Sequence, residues 1–127
     1  MLYSFLKRIV AVLFWVGRVK VEGRENLPSE GAVIIAGNHV GFWDPVVIAA
    51  FVDRPIHFMA KEELFEHVLL AKFLRKLNAF PVKRGSPDRT ALKTALKILE
   101  EDKVLGMFPE GTRSKTGELS KPQHGIA

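Results

Sequence analysis

Two residues five positions apart, His39 and Asp44, have the types and spacing that proton chemistry requires. A carboxylate that accepts a hydrogen bond from one imidazole nitrogen leaves the other nitrogen free to take a proton from a substrate. The pair is therefore the base and the orienting residue of a triad, with no serine or cysteine placed to be the nucleophile. Taken alone, the spacing leaves a plainer alternative open, in which His39 is a loop histidine and Asp44 only a helix cap.

The sequence around this pair predicts a strand before it and a helix after it. The apolar run from Ala32 to Ala36 is typical of a buried strand. Asp44 followed by Pro45 is typical of the N-cap and first position of a helix. We therefore expect residues 38–44, NHVGFWD, to form a short turn that folds the carboxylate back onto the imidazole.

The rest of the chain alternates between strand patterns and helix patterns. Strands are predicted at 19–23, 56–60, 79–82 and 104–108, and helices at 45–52, 62–77 and 86–102. Ser86 and Pro87 are expected to start the last of these helices, and its predicted buried face is formed by Leu92, Ala95, Leu96 and Leu99. This alternation predicts an α/β fold with a mixed, mostly parallel central sheet flanked by helices.

Polar turns follow the predicted strands, and the carboxyl ends of parallel strands are where such sheets bind ligands. Lys61 follows one strand, Lys83 and Arg84 follow another, and residues 109–114 follow the last. In that last turn Gly111 allows close backbone approach and Arg113 offers a planar fork suited to phosphate. The turn is not a Walker A loop, because Gly117 is followed by Glu118 and not by lysine.

Composition excludes several kinds of site. At 127 residues and 47% hydrophobic content, the chain is large enough for one core. It contains no cysteine, which rules out disulfides, thiolate metal sites and a thiol nucleophile. The four histidines show no HxxxH or HExxH spacing, so no metal site is expected.

The net charge of +5 is concentrated at the N-terminus, where the first twenty residues hold four basic side chains and no acidic one. The remainder is nearly balanced, which argues against a nucleic-acid partner. Apolar residues at helical spacing predict an amphipathic helix over residues 1–18, too short between Arg8 and Arg18 for the roughly 20 residues of a membrane span. We predict a helix in the membrane interface, with Lys7 and Arg8 meeting anionic lipid. A helix docked on the core is the alternative.

Three motifs, NHVGFWD at 38–44, FPVKRG at 80–85 and FPEGTRS at 108–114, give the sequence a recognisable family pattern. Together they resemble the 1-acylglycerol-3-phosphate acyltransferases, also called lysophosphatidic acid acyltransferases. The resemblance extends over about residues 15–127. It implies that residues 19–127 form a glycerolipid acyltransferase domain that stops before a fourth family motif and so lacks its C-terminal part.

The resemblance also implies roles for individual residues. His39 would be the general base that takes the proton of the free sn-2 hydroxyl, and Asp44 would orient it. Phosphate of the acceptor would be held by Arg84 and Arg113, with Lys61 as a further cation. Glu110, Gly111 and Thr112 would shape the acceptor site, with Glu110 either binding the glycerol backbone or positioning Arg113.

The implied reaction uses an acyl thioester, from acyl-CoA or acyl carrier protein, and makes phosphatidate without a cofactor or a metal. Turn amides around Gly41 are candidate oxyanion donors. The implied partners are membrane phospholipid and lysophospholipid, at the cytoplasmic face of a membrane. Because the motifs do not determine which tail the acceptor carries, glycerol 3-phosphate or another lysophospholipid is an alternative acceptor. A further alternative is that the chain is a non-catalytic module that binds anionic lipid.

Overall fold

A four-stranded parallel sheet organises the computed structural model, which describes residues 1–122. Its helices are α1 (Leu2–Val16), α2 (Asp44–Phe51), α3 (Val68–Lys76) and α4 (Arg89–Glu100), and its strands are β1 (Val33–Ala36), β2 (Ile56–Lys61), β3 (Phe80–Val82) and β4 (Val104–Met107). The strand order is β1-β4-β2-β3, and each neighbouring pair is parallel. The predicted α/β fold, with a mostly parallel sheet flanked by helices, is confirmed.

The core has two parts because alternate residues of a strand point to opposite faces of the sheet. On one face, Ile56 and Phe58 of β2 and Val104 of β4 pack against α2. On the other, α4 packs against Phe80 and Leu105. Strands covered on both faces are apolar almost throughout, which is why they appear in the sequence as short continuous apolar runs. The edge strand β1 is an exception, since Ile34 is 52% exposed where a fully buried strand was predicted.

Helix α4 begins later than predicted, and its buried face matches the prediction in part: Ala95 is buried and Leu99 packs against the core, as predicted. Its N-cap is Asp88 and not Ser86, because the Asp88 carboxylate accepts hydrogen bonds from the amides of Ala91 at 3.0 Å and Lys83 at 2.8 Å. The buried positions are Ala91, Ala95 and Ile98, whereas Leu92 and Leu96, predicted to be buried, are exposed. Small side chains at the contact let the helix lie close to the sheet.

Two other predicted elements are wrong in detail. The helix predicted over 62–77 is a 3₁₀ turn (Glu62–Phe65) followed by α3, since His67 between them has extended backbone. The strand predicted over 19–23 does not form. Val19 and Val21 stay partly exposed and line a groove together with residues of α2.

Helix α1 docks on α2 by a face that carries both apolar and polar groups. The Tyr3 hydroxyl accepts a hydrogen bond from the Ile56 amide at 3.1 Å, and the Lys7 ammonium donates to the Val52 carbonyl. Burial lowers the pKa of Lys7. The prediction that Lys7 meets lipid is therefore wrong, because its charge is held against the domain. The outward face is apolar, with six exposed side chains: Phe5, Ile9, Val12, Leu13, Trp15 and Val16.

Within residues 1–122, no helix has both the length and the apolar character needed to cross a bilayer.

Candidate active site

Every residue predicted for the site lies beyond the carboxyl end of a strand, on one edge of the sheet. His39 follows β1, Glu110 to Arg113 follow β4, Lys61 ends β2, and Arg84 follows β3. Because β4 lies between β1 and β2, the first and third motifs are neighbours, and the second lies at the far end of the edge. The predicted location at the carboxyl edge is what the topology produces.

The turn between β1 and α2 brings the imidazole of His39 onto the carboxylate of Asp44. Nδ1 of His39 lies 3.0 Å from Oδ2 of Asp44, with the two side chains 12% and 29% exposed. An ionised carboxylate can only accept, so the shared proton belongs to Nδ1 and the lone pair of Nε2 is left for a substrate. Nε2 has no hydrogen-bond partner among residues 1–122. The geometry is that of a base with its orienting residue.

The same oxygen of Asp44 also accepts hydrogen bonds from the backbone amides of Val40 and Gly41, both at 2.7 Å. Burial alone would raise the pKa of Asp44, but the Gly41 amide, His39 and the Val40 amide together outweigh burial and hold it below its ordinary 3.8. Asp44 is thus a carboxylate at neutral pH, as the orienting role requires.

These contacts correct two predictions about the turn. Asp44 is the first residue of α2 and not its N-cap, because its carboxylate reaches back to the turn and makes no cap hydrogen bond to the helix. The amide of Gly41 is not available as an oxyanion donor, because it already donates to Asp44. The amides of Val40 and Gly41 serve the Asp44 carboxylate instead, and the prediction of oxyanion donors around Gly41 is left to the amides of Phe42 and Trp43, which donate to no group of residues 1–122.

The imidazole rests on a stack of aromatic rings. Phe108 lies under the His39 ring, with centroids 4.2 Å apart and planes 18° from parallel, and Phe58 stacks on the far side of Phe108 at 5.8 Å. Gly106 makes room for Phe58, since a Cβ at Gly106 would lie 2.3 Å from its ring. Sequence reasoning missed this platform. The only signal was a glycine inside a strand, which often marks a close approach.

Glu110 is buried and binds main chain on both sides. It is 4% exposed, its Oε1 accepts from the His39 amide at 3.2 Å, and its Oε2 accepts from the Ser120 amide at 3.0 Å. The Ser120 amide, followed by that of His39, holds the pKa of Glu110 below its usual range in spite of burial. Glu110 is therefore a charged link between the first motif and the loop that carries the third.

The loop after Glu110 presents Arg113 to solvent. Gly111 has a left-handed backbone (φ +69°), and its amide donates to the Phe108 carbonyl at 2.9 Å, closing the turn. The Ser114 amide donates to the His39 carbonyl at 2.7 Å. Thr112 and Arg113 lie exposed between these anchors, and Arg113 makes no ion pair or hydrogen bond with another residue of 1–122.

Lys61 and Arg84 lie on the same edge of the sheet, beside strands that are farther from His39 and Asp44 than β4 is. Lys61 is half exposed and pairs with Glu63 at 3.2 Å, a contact that contributes little at an exposed position. The pKa of Glu63 is held low by its own amide, by Lys61 and, more weakly, by the charge of Arg84. With strands about 4.8 Å apart, β3 lies roughly 14 Å from β1, so Arg113 is nearer to His39 than Arg84 is.

The arrangement can accept a proton at Nε2 and can hold an anion beside it. In the third motif the hydroxyl of Ser114 donates to the Glu118 carbonyl and accepts from the Gly117 amide, so it is committed to its own loop. Across residues 1–122 no cluster of three or more histidine and acidic side chains is placed to hold a metal ion. A metal-free reaction stays a prediction.

Comparison with known proteins identifies a family. Residues 18–127 match the family model described as Acyltransferase. The chain is 38% identical to the 1-acyl-sn-glycerol-3-phosphate acyltransferase of Bacillus subtilis (strain 168), over 99% of this chain and 67% of that protein. It is 34% identical to the protein of the same name from Streptococcus pneumoniae (strain ATCC BAA-255 / R6), over 89% of this chain and 45% of that protein.

A solved structure shares the fold. The crystal structure of the 1-acyl-sn-glycerophosphate (LPA) acyltransferase PlsC from Thermotoga maritima superposes with a TM-score of 0.65 and 33% identity, covering 81% of this chain and 41% of that one. The chain thus spans between about two fifths and two thirds of the length of these relatives.

Proposed function

The chain belongs to the acyltransferase family, and from that premise we propose that it transfers an acyl group from a thioester to the sn-2 hydroxyl of 1-acylglycerol 3-phosphate, giving phosphatidate. The observation that carries the proposal is the His39–Asp44 contact at the carboxyl edge, with Nδ1 bound at 3.0 Å and Nε2 free. A base of this kind contributes about 10² to 10⁴ in rate when it is placed against the attacking hydroxyl.

The acyl transfer proceeds in this proposal without a covalent intermediate on the enzyme. Nε2 of His39 takes the proton of the sn-2 hydroxyl as its oxygen attacks the thioester carbonyl. The tetrahedral intermediate then breaks its carbon–sulfur bond, and the imidazolium returns the proton to the departing thiolate. A thioester is already activated, so neither a cofactor nor a metal is needed, and acyl-CoA and acyl carrier protein both satisfy this chemistry.

The acceptor phosphate is assigned to the exposed cations of the edge. Arg113 offers a bidentate fork one residue from Ser114, whose amide binds the His39 carbonyl. Lys61 and Arg84 extend positive charge along β2 and β3. In this assignment Arg113 binds the phosphate directly, while Arg84 must reach inward from the far end of the edge.

A membrane location is supported by α1. Its outward apolar face, with Trp15 76% and Val16 69% exposed, suits the boundary between headgroups and acyl chains, where the acceptor resides. Lys7 is held by Val52, so any attraction to anionic lipid falls to Arg8 and Arg18, which are exposed. We assign the protein to the cytoplasmic face of the membrane because its donor in this proposal is an acyl thioester.

The experiment is an acyl-transfer assay on the whole protein with a panel of acceptors. With acyl-CoA or acyl carrier protein as donor, we expect 1-acylglycerol 3-phosphate to be acylated at sn-2, and glycerol 3-phosphate and neutral lysophospholipids to be poor acceptors. Preference for another acceptor would move the assignment within the family. No transfer with any pair, together with retained binding to anionic vesicles, would favour the non-catalytic lipid-binding module.

A further inference from the structure

Two hydrogen bonds attach the main chain of His39 to the loop 110–120, and a third closes the loop on itself. The His39 amide donates to Glu110 Oε1 at 3.2 Å, the His39 carbonyl accepts from the Ser114 amide at 2.7 Å, and Glu110 Oε2 accepts from the Ser120 amide at 3.0 Å. One carboxylate therefore holds the base at its amide and closes the loop at its far end. Asp44 holds the ring of His39 and the Val40 amide that follows it, whereas the amide and the carbonyl of His39 itself are bound by the loop.

This use of Glu110 conflicts with a role in binding substrate. The residue is 4% exposed, and each of its oxygens already accepts from a backbone amide. A glycerol hydroxyl would have to displace one of these amides and leave it unpaired in a buried place, which is costly. A negative charge is also poorly placed to attract an anionic phosphate.

We propose that Glu110 is a positioning residue that acts through His39: it fixes the histidine's main chain against the loop 110–120, so that Nε2 stays where the acceptor hydroxyl arrives. The proposal rests on the proposed function, since it assigns a role within that site. It replaces the expectation that Glu110 binds the glycerol backbone.

The test is Glu110→Gln in the whole protein. Glutamine keeps the size of the side chain, but its NH₂ group must face either the His39 or the Ser120 amide, so one hydrogen bond is lost. A base displaced by about an ångström costs up to about 10²-fold in rate. We expect kcat to fall about 10- to 100-fold, with the KM for 1-acylglycerol 3-phosphate changing much less. A raised acceptor KM with kcat unchanged, or no change in either, would overturn the proposal.

A second readout does not depend on turnover. In protein labelled with ¹⁵N-histidine, the Nδ1–H proton of His39 should give a sharp NMR signal because Asp44 holds it. We expect Glu110→Gln to broaden this signal, as Asp44→Asn should. An unchanged signal would contradict the positioning role even if no acyl transfer were found, so the failure of this inference and that of the proposed function are separable.

The matched control is Glu118→Gln, which removes the same charge from the same loop. Glu118 is exposed, and its carboxylate makes no hydrogen bond to another residue of 1–122. We expect its kcat and its His39 signal to equal those of the wild type. A loss of kcat as large as that of Glu110→Gln would show that the effect comes from net charge alone. If Glu110→Gln does not fold, amide hydrogen exchange is measured in the wild type instead. Exchange of the His39 and Ser120 amides as fast as that of the exposed Lys115 amide would refute their hydrogen bonds to Glu110.

Discussion

The two halves of the carboxyl edge are built differently. Beside β1 and β4, His39, Asp44 and Glu110 are half-buried or buried and bound to one another or to main chain at 2.7–3.2 Å. Beside β2 and β3, Lys61 and Arg84 are exposed and held by little more than one surface ion pair. The groups proposed to react are thus held in place by the protein itself, whereas the cations are left free to bind an anion.

The difference teaches which substitutions should affect chemistry and which should affect binding. Preorganised groups lower the barrier because they need no rearrangement in the transition state. Exposed cations contribute through charge and hydrogen bonds that form only with the ligand. Variants of the buried and half-buried groups of the first half should therefore lower kcat, and variants of the exposed cations, Arg113 beside β4 included, should raise the acceptor KM.

The largest effect is expected from His39→Ala. Without Nε2 the proton of the acceptor hydroxyl has no base, so acyl transfer should fall by about 10² to 10⁴ or to below detection. Equilibrium binding of 1-acylglycerol 3-phosphate should be nearly unchanged, because the cations remain. Loss of binding together with turnover would contradict the division of the edge into reacting groups and binding groups.

Asp44→Asn should be nearly as severe. The asparagine amide can donate to the ring and stabilise the wrong tautomer, which leaves Nε2 protonated and unable to act as a base. The comparable change in a protease triad costs about 10⁴. Circular dichroism should show a folded protein, and near-normal kcat in that protein would remove Asp44 from the mechanism.

The carboxyl edge and its residues could be predicted from sequence, but their contacts could not. Strand-like runs ending in polar turns place His39, Lys61, Arg84 and Glu110 at strand ends, because parallel strands present one common edge. One partner of Glu110, the backbone amide of His39, is 71 positions away, and no pattern of side chains in the sequence indicates such a contact. The three motifs thus predict a candidate site at this edge without predicting the contacts that hold its residues in place.

Burial was harder to predict at helix faces. The apolar spacing of α4 allows either leucines or alanines to face the sheet, and in the structure Ala91 and Ala95 are buried there together with Ile98. In α1, spacing identified the apolar face, but it could not show that Lys7 lies on the docked side with a carbonyl to bind. Both outcomes depend on tertiary packing that overrides local pattern.

A smaller effect is expected from Arg113→Lys. Lysine keeps the charge but loses the bidentate fork, so the acceptor kcat/KM should fall roughly tenfold while the donor KM stays the same. Arg84→Lys is the matched variant, and its effect should be smaller because β3 is the strand farthest from β1. A larger effect at Arg84 would place the phosphate on the other half of the edge.

The double variant Val12→Ser, Trp15→Ala tests the outward face of α1. Both side chains are exposed, at 59% and 76%, so their loss should weaken binding to anionic vesicles with little change in stability. Leu92→Ser on α4 is the control, since it removes an exposed leucine from a helix on the opposite face of the sheet. Equal co-sedimentation of both proteins with vesicles would place the membrane contact elsewhere.

The most direct test of the dyad is the kcat of the double variant His39→Ala, Asp44→Asn, set beside both single variants. If Asp44 acts only through His39, removing it after the histidine is gone should change nothing, and the double variant should equal His39→Ala. If the losses multiply instead, Asp44 contributes to the reaction by a separate route, and the account of His39 and Asp44 as one base is contradicted.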